Sequence, residues 1–136
     1  MTKKIRLFLA HVAPPSRFVQ RTPPLGLLYL AAYLRERYTV DIAVAHQGIE
    51  PCSSEQLARK AIDFDADIVG LRCLTPSAHA LPIITRAIRL ARPRALIVLG
   101  GPHVAAFGGE SLGSTDADLA VCGEGEITMT QIVAAY

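Results

Sequence analysis

Four histidines, His11, His46, His79 and His103, each stand just beyond a run of aliphatic residues. Imidazoles collected at one edge of a sheet could bind a metal or pass protons. His46, however, follows the strand expected at the outside of the sheet and should lie far from the other three. Loops carry polar residues in any case, so no metal site built from side chains alone is expected. The three cysteines, Cys52, Cys73 and Cys122, are far apart and odd in number. They make neither a disulfide framework nor a C-x-x-C zinc or cluster motif, and read as reduced, mostly buried thiols. No Ser/His/Asp set and no carboxylate pair can be read from spacing. What is left is a series of strand ends: His11 before Pro14-Pro15, Thr75-Pro76-Ser77 before His79, Gly100-Gly101-Pro102-His103, and Gly123-Glu124-Gly125-Glu126. Glycines at such ends let the chain turn sharply and let a bulky ligand lie directly on the backbone. Taken singly, each cluster also serves as an ordinary turn.

The elements that position these clusters follow from periodicity. Leu96-Ile97-Val98-Leu99 is too short for a helix and lacks polar alternation, so it reads as a strand covered on both faces. Residues 5–10, 39–45, 68–74 and 119–122 read as four further strands. Between them, residues 24–37 place Leu27, Leu30, Ala31 and Leu34 at helical spacing, with Pro24 in the first turn and a basic end. Ser53 can cap a helix that runs to about Phe64 and turns Leu57, Ala61 and Phe64 inward. Another helix begins near residues 79–81, buries Ile84, Ala87, Ile88 and Ala91, and stops at Pro93. Residues 104–115 read as a glycine-rich connection with one short helical turn around Glu110. A last helix buries Ile127, Ile132 and Val133. Five strands alternating with helices give an α/β, doubly wound parallel sheet, with the flavodoxin-like order 2-1-3-4-5 expected. Ligands of such sheets sit at the C-terminal edge, where the four clusters fall.

With 136 residues, 51% of them hydrophobic and 19% charged, the chain is long and apolar enough for one domain with a real core. Its longest apolar segment, residues 25–34, is too short to cross a bilayer, and no signal-peptide pattern precedes it. A cytoplasmic location is the default. The net charge of +2 argues against nucleic acid, and Arg86, Arg89, Arg92 and Arg94 read as a solvated helix face. The chain stops while its last helix is ending, which reads as a domain cut from something larger.

Known users of this architecture can be excluded one by one. A response-regulator receiver needs an acidic pair after the first strand and a phosphoacceptor aspartate after the third, where this chain has His11 and Leu74-Thr75. The flavodoxin phosphate loop and the dinucleotide G-x-G-x-x-G are absent. Four segments in order instead carry a likeness: Pro23-Pro24-Leu25-Gly26-Leu27-Leu28-Tyr29-Leu30-Ala31, Ile68-Val69-Gly70-Leu71 with Thr75-Pro76, Leu99-Gly100-Gly101-Pro102-His103, and Gly123-Glu124-Gly125-Glu126. The chain resembles the cobalamin-binding N-terminal domain of cobalamin-dependent radical S-adenosylmethionine enzymes. The resemblance implies a corrin lying flat on the C-terminal edge of the sheet. Its nucleotide tail would descend beside the third and fourth strands, with Thr75, Gly100 and Gly101 lining the slot. Pro76, Ser77, Pro102 and His103 would shape the pocket, and residues 123–126 would rim it.

Two departures from the family pattern bear on function. No D-x-H-x-x-G follows the first strand, since His11 has Leu9 two places before it and Pro14 three after. The resemblance therefore implies a cobalamin with its own base displaced and no protein histidine beneath the cobalt. Arg72 stands where relatives have a small hydroxyl residue, and an arginine inside an apolar strand is costly unless paired. It either blocks the tail slot or grips an anion, such as the tail phosphate or the carboxylate of Glu124 or Glu126. The chain has no C-x-x-x-C-x-x-C cluster motif, so radical chemistry would need a catalytic domain in cis or in trans. In the complete family, cobalt commonly carries a methyl group to an unactivated carbon or phosphorus. The competing expectation is a cofactor-free module of the same fold that serves docking or substrate recognition.

Overall fold

The structure, a computed structural model, describes residues 4–15, 25–122 and 125–136, Glu126 by its backbone alone. Five parallel strands form one sheet: β1 (Ile5–Val12), β2 (Val40–His46), β3 (Ile68–Cys73), β4 (Leu96–Gly100) and β5 (Leu119–Ala120), in the expected order β2-β1-β3-β4-β5. Helices cover both faces. α1 (Leu25–Arg37) and α5 (Gly125–Ala135) lie on one, α2 (Ser54–Asp63) and α3 (Leu81–Ala91) on the other. Strand alternation explains the division. Leu7, Leu9, Ile68 and Val98 point to α1 and α5, whereas Phe8, Ala10, Val69, Leu71, Ile97 and Leu99 point to α2 and α3.

Most of the predicted stripes are where periodicity puts them. Leu27, Leu30, Ala31 and Leu34 are buried on α1, whose expected first residue, Pro24, lies outside the described residues. Ser53 caps α2: its side chain accepts from the Gln56 backbone N–H at 3.1 Å, while Gln56 Oε1 accepts from the Ser53 N–H at 2.8 Å. Both orphan donors of the first turn are thereby satisfied.

Several expectations are corrected. Ala91 is exposed, and Thr85 is buried in α3 with its hydroxyl bonded to the Leu81 carbonyl. On α5 the buried residues are Met129 and Val133, and Ile127 is 57% exposed. The presumed glycine-rich connection is mostly helical, with α4 (Pro102–Phe107) followed by a 3-10 turn (Gly108–Leu112), and a second 3-10 turn (Thr75–Ala80) leads into α3. Cys73 is buried, Cys52 half-buried and Cys122 exposed.

Of the four arginines in and just beyond α3, Arg86 and Arg94 are exposed as expected, whereas Arg89 and Arg92 are more than a solvated face. Arg89 donates to the carbonyls of Pro93, Ala95 and Asp116 and pairs with Asp118 at 2.6 Å. Arg92 donates to the Ala66 carbonyl and pairs with Asp65. Together they fasten α3 to the loops that enter β3, β4 and β5. Among the described residues no helix is long and apolar enough to cross a membrane.

Loss of the capping hydroxyl gives a direct check on this local account. Ser53→Ala should lower stability by about 1 kcal/mol in urea denaturation. An unchanged midpoint would show that the α2 start is held by packing alone.

Candidate functional site

The register of the sheet brings one row of residues to its C-terminal edge on the α1/α5 face. His46 pairs with His11, His11 with Arg72, and Arg72 with Gly100, across β2, β1, β3 and β4. One step deeper, the corresponding row is Val44, Leu9, Gly70 and Val98. Two glycines on adjacent strands therefore leave the face without side chains at one place. The result is a groove of about 180 Å³ between the sheet and the two helices. Leu27 and Leu30 of α1 and Met129 of α5 form its walls, and Arg72 and Gly100 lie toward the edge.

The two floor positions differ. A side chain at Gly70 would meet Leu9 Cδ2 at 2.7 Å and Met129 Cε at 3.5 Å, so packing closes the bottom of the groove there. At Gly100 nothing lies within 4 Å of where a Cβ would stand, so the groove is open above that residue. Gly101 plays another part. Its φ of 94° is a conformation that L side chains rarely adopt, and a Cβ would lie 2.6 Å from Arg72 Cγ and 3.2 Å from the Cys73 carbonyl oxygen. This turn ends β4 against β3 and starts α4 beside the groove.

Arg72 is half-buried, and its Nη1 lies 2.9 Å from His11 Nδ1. A guanidinium can only donate, so Nδ1 is the bare nitrogen of His11 and the ring proton is on Nε2. Burial, then the neighbouring His46 and Arg72, push the His11 pKa down to about 4, and the imidazole is neutral at pH 7. His46 Nδ1 likewise accepts, from the backbone N–H groups of Gly48 and Ile49 at 3.0 and 3.1 Å. The two rings lie 4.5 Å apart: β2 is the outer strand as expected, but His46 is not far from the other histidines, since it neighbours His11. β1 also runs further than periodicity suggested, so His11 is a strand residue, only 4% exposed. The expected carboxylate partners of Arg72 cannot be placed, because Glu124 and the Glu126 side chain lie outside the described residues.

The remaining predicted residues form a second group. Thr75 and Pro76 are exposed at the start of the 3-10 turn, and Ser77 is half-buried within it. Thr75 Oγ1 lies 3.4 Å from His103 Nδ1, whose ring packs on Phe107 with centroids 4.9 Å apart. Pro102 is the first residue of α4. These residues stand at the strand edge but do not line the groove, whereas Gly100, Gly101, Gly125 and Arg72 do. Gly123 lies outside the described residues. His79, which bonds the Pro76 carbonyl at 3.1 Å, is exposed.

Two contributors to the groove were missed from the sequence: Gly70 and Met129 set its depth. Buried Gln47, which does not line the groove, ties the ends of β1 and β2 to the chain before α2. Gln47 Oε1 accepts from the Ala13 N–H at 2.9 Å, and its Nε2 donates to the Cys52 carbonyl at 2.8 Å. Gly70 interrupts an otherwise aliphatic strand, and that was the available signal. Cys73 offers no nucleophile, since burial raises its thiol to about 11.

Comparison with known proteins adds to this geometry. A family model described as "B12 binding domain" matches residues 16–133. An uncharacterized methyltransferase of Pyrococcus horikoshii is 28% identical over 138 residues, covering 97% of this chain and 30% of that protein. The anaerobic magnesium-protoporphyrin IX monomethyl ester cyclase of Cereibacter sphaeroides is 30% identical over 115 residues, covering 84% of this chain and 19% of the cyclase. The chain thus spans less than a third of the length of these curated relatives. Among solved structures, the cobalamin-dependent S-adenosylmethionine radical enzyme OxsB with aqua-cobalamin bound superposes with a TM-score of 0.80 at 18% identity, over 98% of this chain and 19% of that one. The RcsB response regulator of Salmonella typhimurium gives a TM-score of 0.62 at 14% identity, over 98% of this chain and 60% of that one. At these identities the two structures speak to the fold.

Two measurements check the site as built. Gly101→Ala should cost about 1–3 kcal/mol through its forced backbone alone, while Gly100→Ala should be close to neutral; equal effects would contradict the geometry. The second concerns pH. An unfolded His11 binds a proton near pH 6.5 and the folded one only near pH 4, so stability is fully present above 6.5 and declines as pH falls toward 4. The His11 share of that decline amounts to as much as roughly 3 kcal/mol. His11→Gln keeps an acceptor for Arg72 but cannot titrate, and its urea midpoint should vary less with pH over this window than that of the parent.

Proposed function

The chain belongs to the B12-binding domain family, and from that membership we propose that it holds a cobalamin at the groove above Gly100 and presents it to a radical S-adenosylmethionine catalytic domain. That domain would be joined in cis or supplied in trans. The observation that carries the reading is the side-chain-free step at Gly70 and Gly100, walled by Leu27, Leu30 and Met129. Small-molecule sites usually begin at roughly 300 Å³. A groove of about 180 Å³ therefore suits one arm of a large cofactor rather than its ring system, and its apolar lining suits an aromatic base. The ring system would rest outside, where Gly101, Pro102, His103 and Thr75 border the edge.

The chain's own histidines support a base-off cofactor with no protein ligand beneath the metal. No histidine occurs between His11 and His46 in the sequence. His11 itself is buried, with its bare nitrogen occupied by Arg72. The displaced base of the cofactor would then be the group that enters the groove. When bound, a cobalamin would supply a cobalt centre able to carry a methyl group. The protein would contribute binding, orientation and a dry slot for the arm. The methyltransferase among the relatives favours methyl transfer as the class of reaction served. The acceptor substrate belongs to the catalytic domain.

Reconstitution tests the proposal. After incubation with hydroxocobalamin and desalting, the protein should keep a cobalamin absorption spectrum. On reduction, the Co(II) EPR signal should lack splitting from an axial nitrogen. Gly100→Val fills the groove with a residue that strands accept and should weaken binding at least about tenfold, as loss of a well-buried aromatic contact would. A wild-type protein that stays colourless and evolves no heat on titration would overturn the proposal in favour of a cofactor-free docking or substrate-recognition module.

A further inference from the structure

We propose that Arg72 is a phosphodiester receptor at the mouth of the groove, its guanidinium held in place by His11 so that it can grip the anionic linker of a nucleotide arm. The inference rests on the cobalamin reading above and names the contact that would anchor the arm.

Charge pairing within the fold points to it. Among the described residues four arginines are half-buried: Arg6, Arg72, Arg89 and Arg92. Three have carboxylates, Arg6 with Asp41 at 3.2 Å, Arg89 with Asp118 at 2.6 Å, and Arg92 with Asp65. Arg72 has no ion pair among the described residues. Its one hydrogen bond there goes to a neutral imidazole. A guanidinium withdrawn from water beside an apolar surface is costly unless an anion compensates it, and the other three show how this fold ordinarily meets that cost.

Geometry leaves the needed donors available. His11 takes Nη1 alone, and no buried side-chain nitrogen or oxygen among the described residues lacks a partner. The remaining N–H groups of Arg72 are therefore not sealed in the core, and the residue itself lines the groove. Their planar fork matches two oxygens of a phosphate. His11 acts as a positioning residue. It occupies one end of the guanidinium and draws it toward β1, away from the open space above Gly100.

The order of chemistry along the groove selects the ligand class. An apolar bottom at Gly70 and Met129 is followed toward the edge by a single fixed positive charge at Arg72. The complementary molecule has an aromatic end, then one negative charge, then a larger body left outside. The nucleotide arm of cobalamin has that order, whereas the amide side arms of a corrin are neutral.

The test compares aquacobalamin with dicyanocobinamide, which lacks the phosphodiester and the base. Arg72→Gln should weaken aquacobalamin binding about 10- to 100-fold, the loss of a charge-assisted hydrogen bond, and Arg72→Lys should recover part of it. Cobinamide affinity should stay within about twofold, since its complex has no such bond to lose. The ³¹P resonance of bound aquacobalamin should be displaced from its free position in the wild-type protein and return toward it in Arg72→Gln. Equal losses for both ligands, no loss for either, or an undisplaced wild-type ³¹P resonance would overturn the inference while leaving cobalamin binding intact. Failure of the wild-type protein to bind aquacobalamin would overturn both. If Arg72→Gln does not fold, Arg72→Lys carries the same comparison: a selective loss for aquacobalamin with a moved ³¹P resonance supports the inference, and equal effects on both ligands overturn it.

Discussion

A guanidinium kept beside an open apolar groove, rather than inside it, is the contact on which the site depends. Arg72 and Gly100 are register partners on β3 and β4, so the charge and the opening sit side by side on one face. Without a restraint, the long arginine stem could lie across the space that the glycine leaves. His11 supplies that restraint from the neighbouring strand, through the nitrogen that burial keeps unprotonated. Gly101 completes the arrangement, because any side chain at its position would collide with the Arg72 stem. A neutral histidine, a glycine turn and an arginine thus define one another's positions.

The same row divides the four histidines between two places. Two of them, His11 and His46, are the last residues of β1 and β2 on the α1/α5 face, buried and bonded through Nδ1. His103 and His79 sit apart from that pair, on α4 and on the 3-10 turn before α3. Polar groups within hydrogen-bonding reach are satisfied locally instead of converging on one point. The likeness to a response regulator fits this picture. It extends to the backbone, while the strand-end acids that receiver chemistry requires are replaced here by His11 and Leu74-Thr75.

Much of the fold was legible in the sequence. Largely apolar runs of four to seven residues gave every strand, and the sheet order followed from right-handed crossovers. The α1 stripe and the Ser53 cap stood out because they depend on residues within one or two turns. Errors came where local pattern competes with packing. Residues 104–115 hold several glycines, which mask a short helix and a 3-10 turn stabilised by neighbours. On α5, nearly every residue is apolar or small, so periodicity could not decide that Met129 rather than Ile127 faces the sheet.

The candidate site divides in the same way. Gly100, Gly101 and Arg72 were visible as residue types out of keeping with an aliphatic strand and its end, and the ordered motifs carried the family. Which of the candidates share a groove was not visible: Gly100, Gly101 and Arg72 do, while Thr75 and His103 form a separate pair at the edge. The pairing of Arg72 with His11 joins residues 61 positions apart, and the contact of His11 with His46 depends on strand register. Chain order constrains neighbours along a strand or helix, because backbone geometry repeats over a few residues. Distances across a sheet arise only after crossovers have set which strands lie together and in what register, and that is where this groove, its charge and its depth were decided.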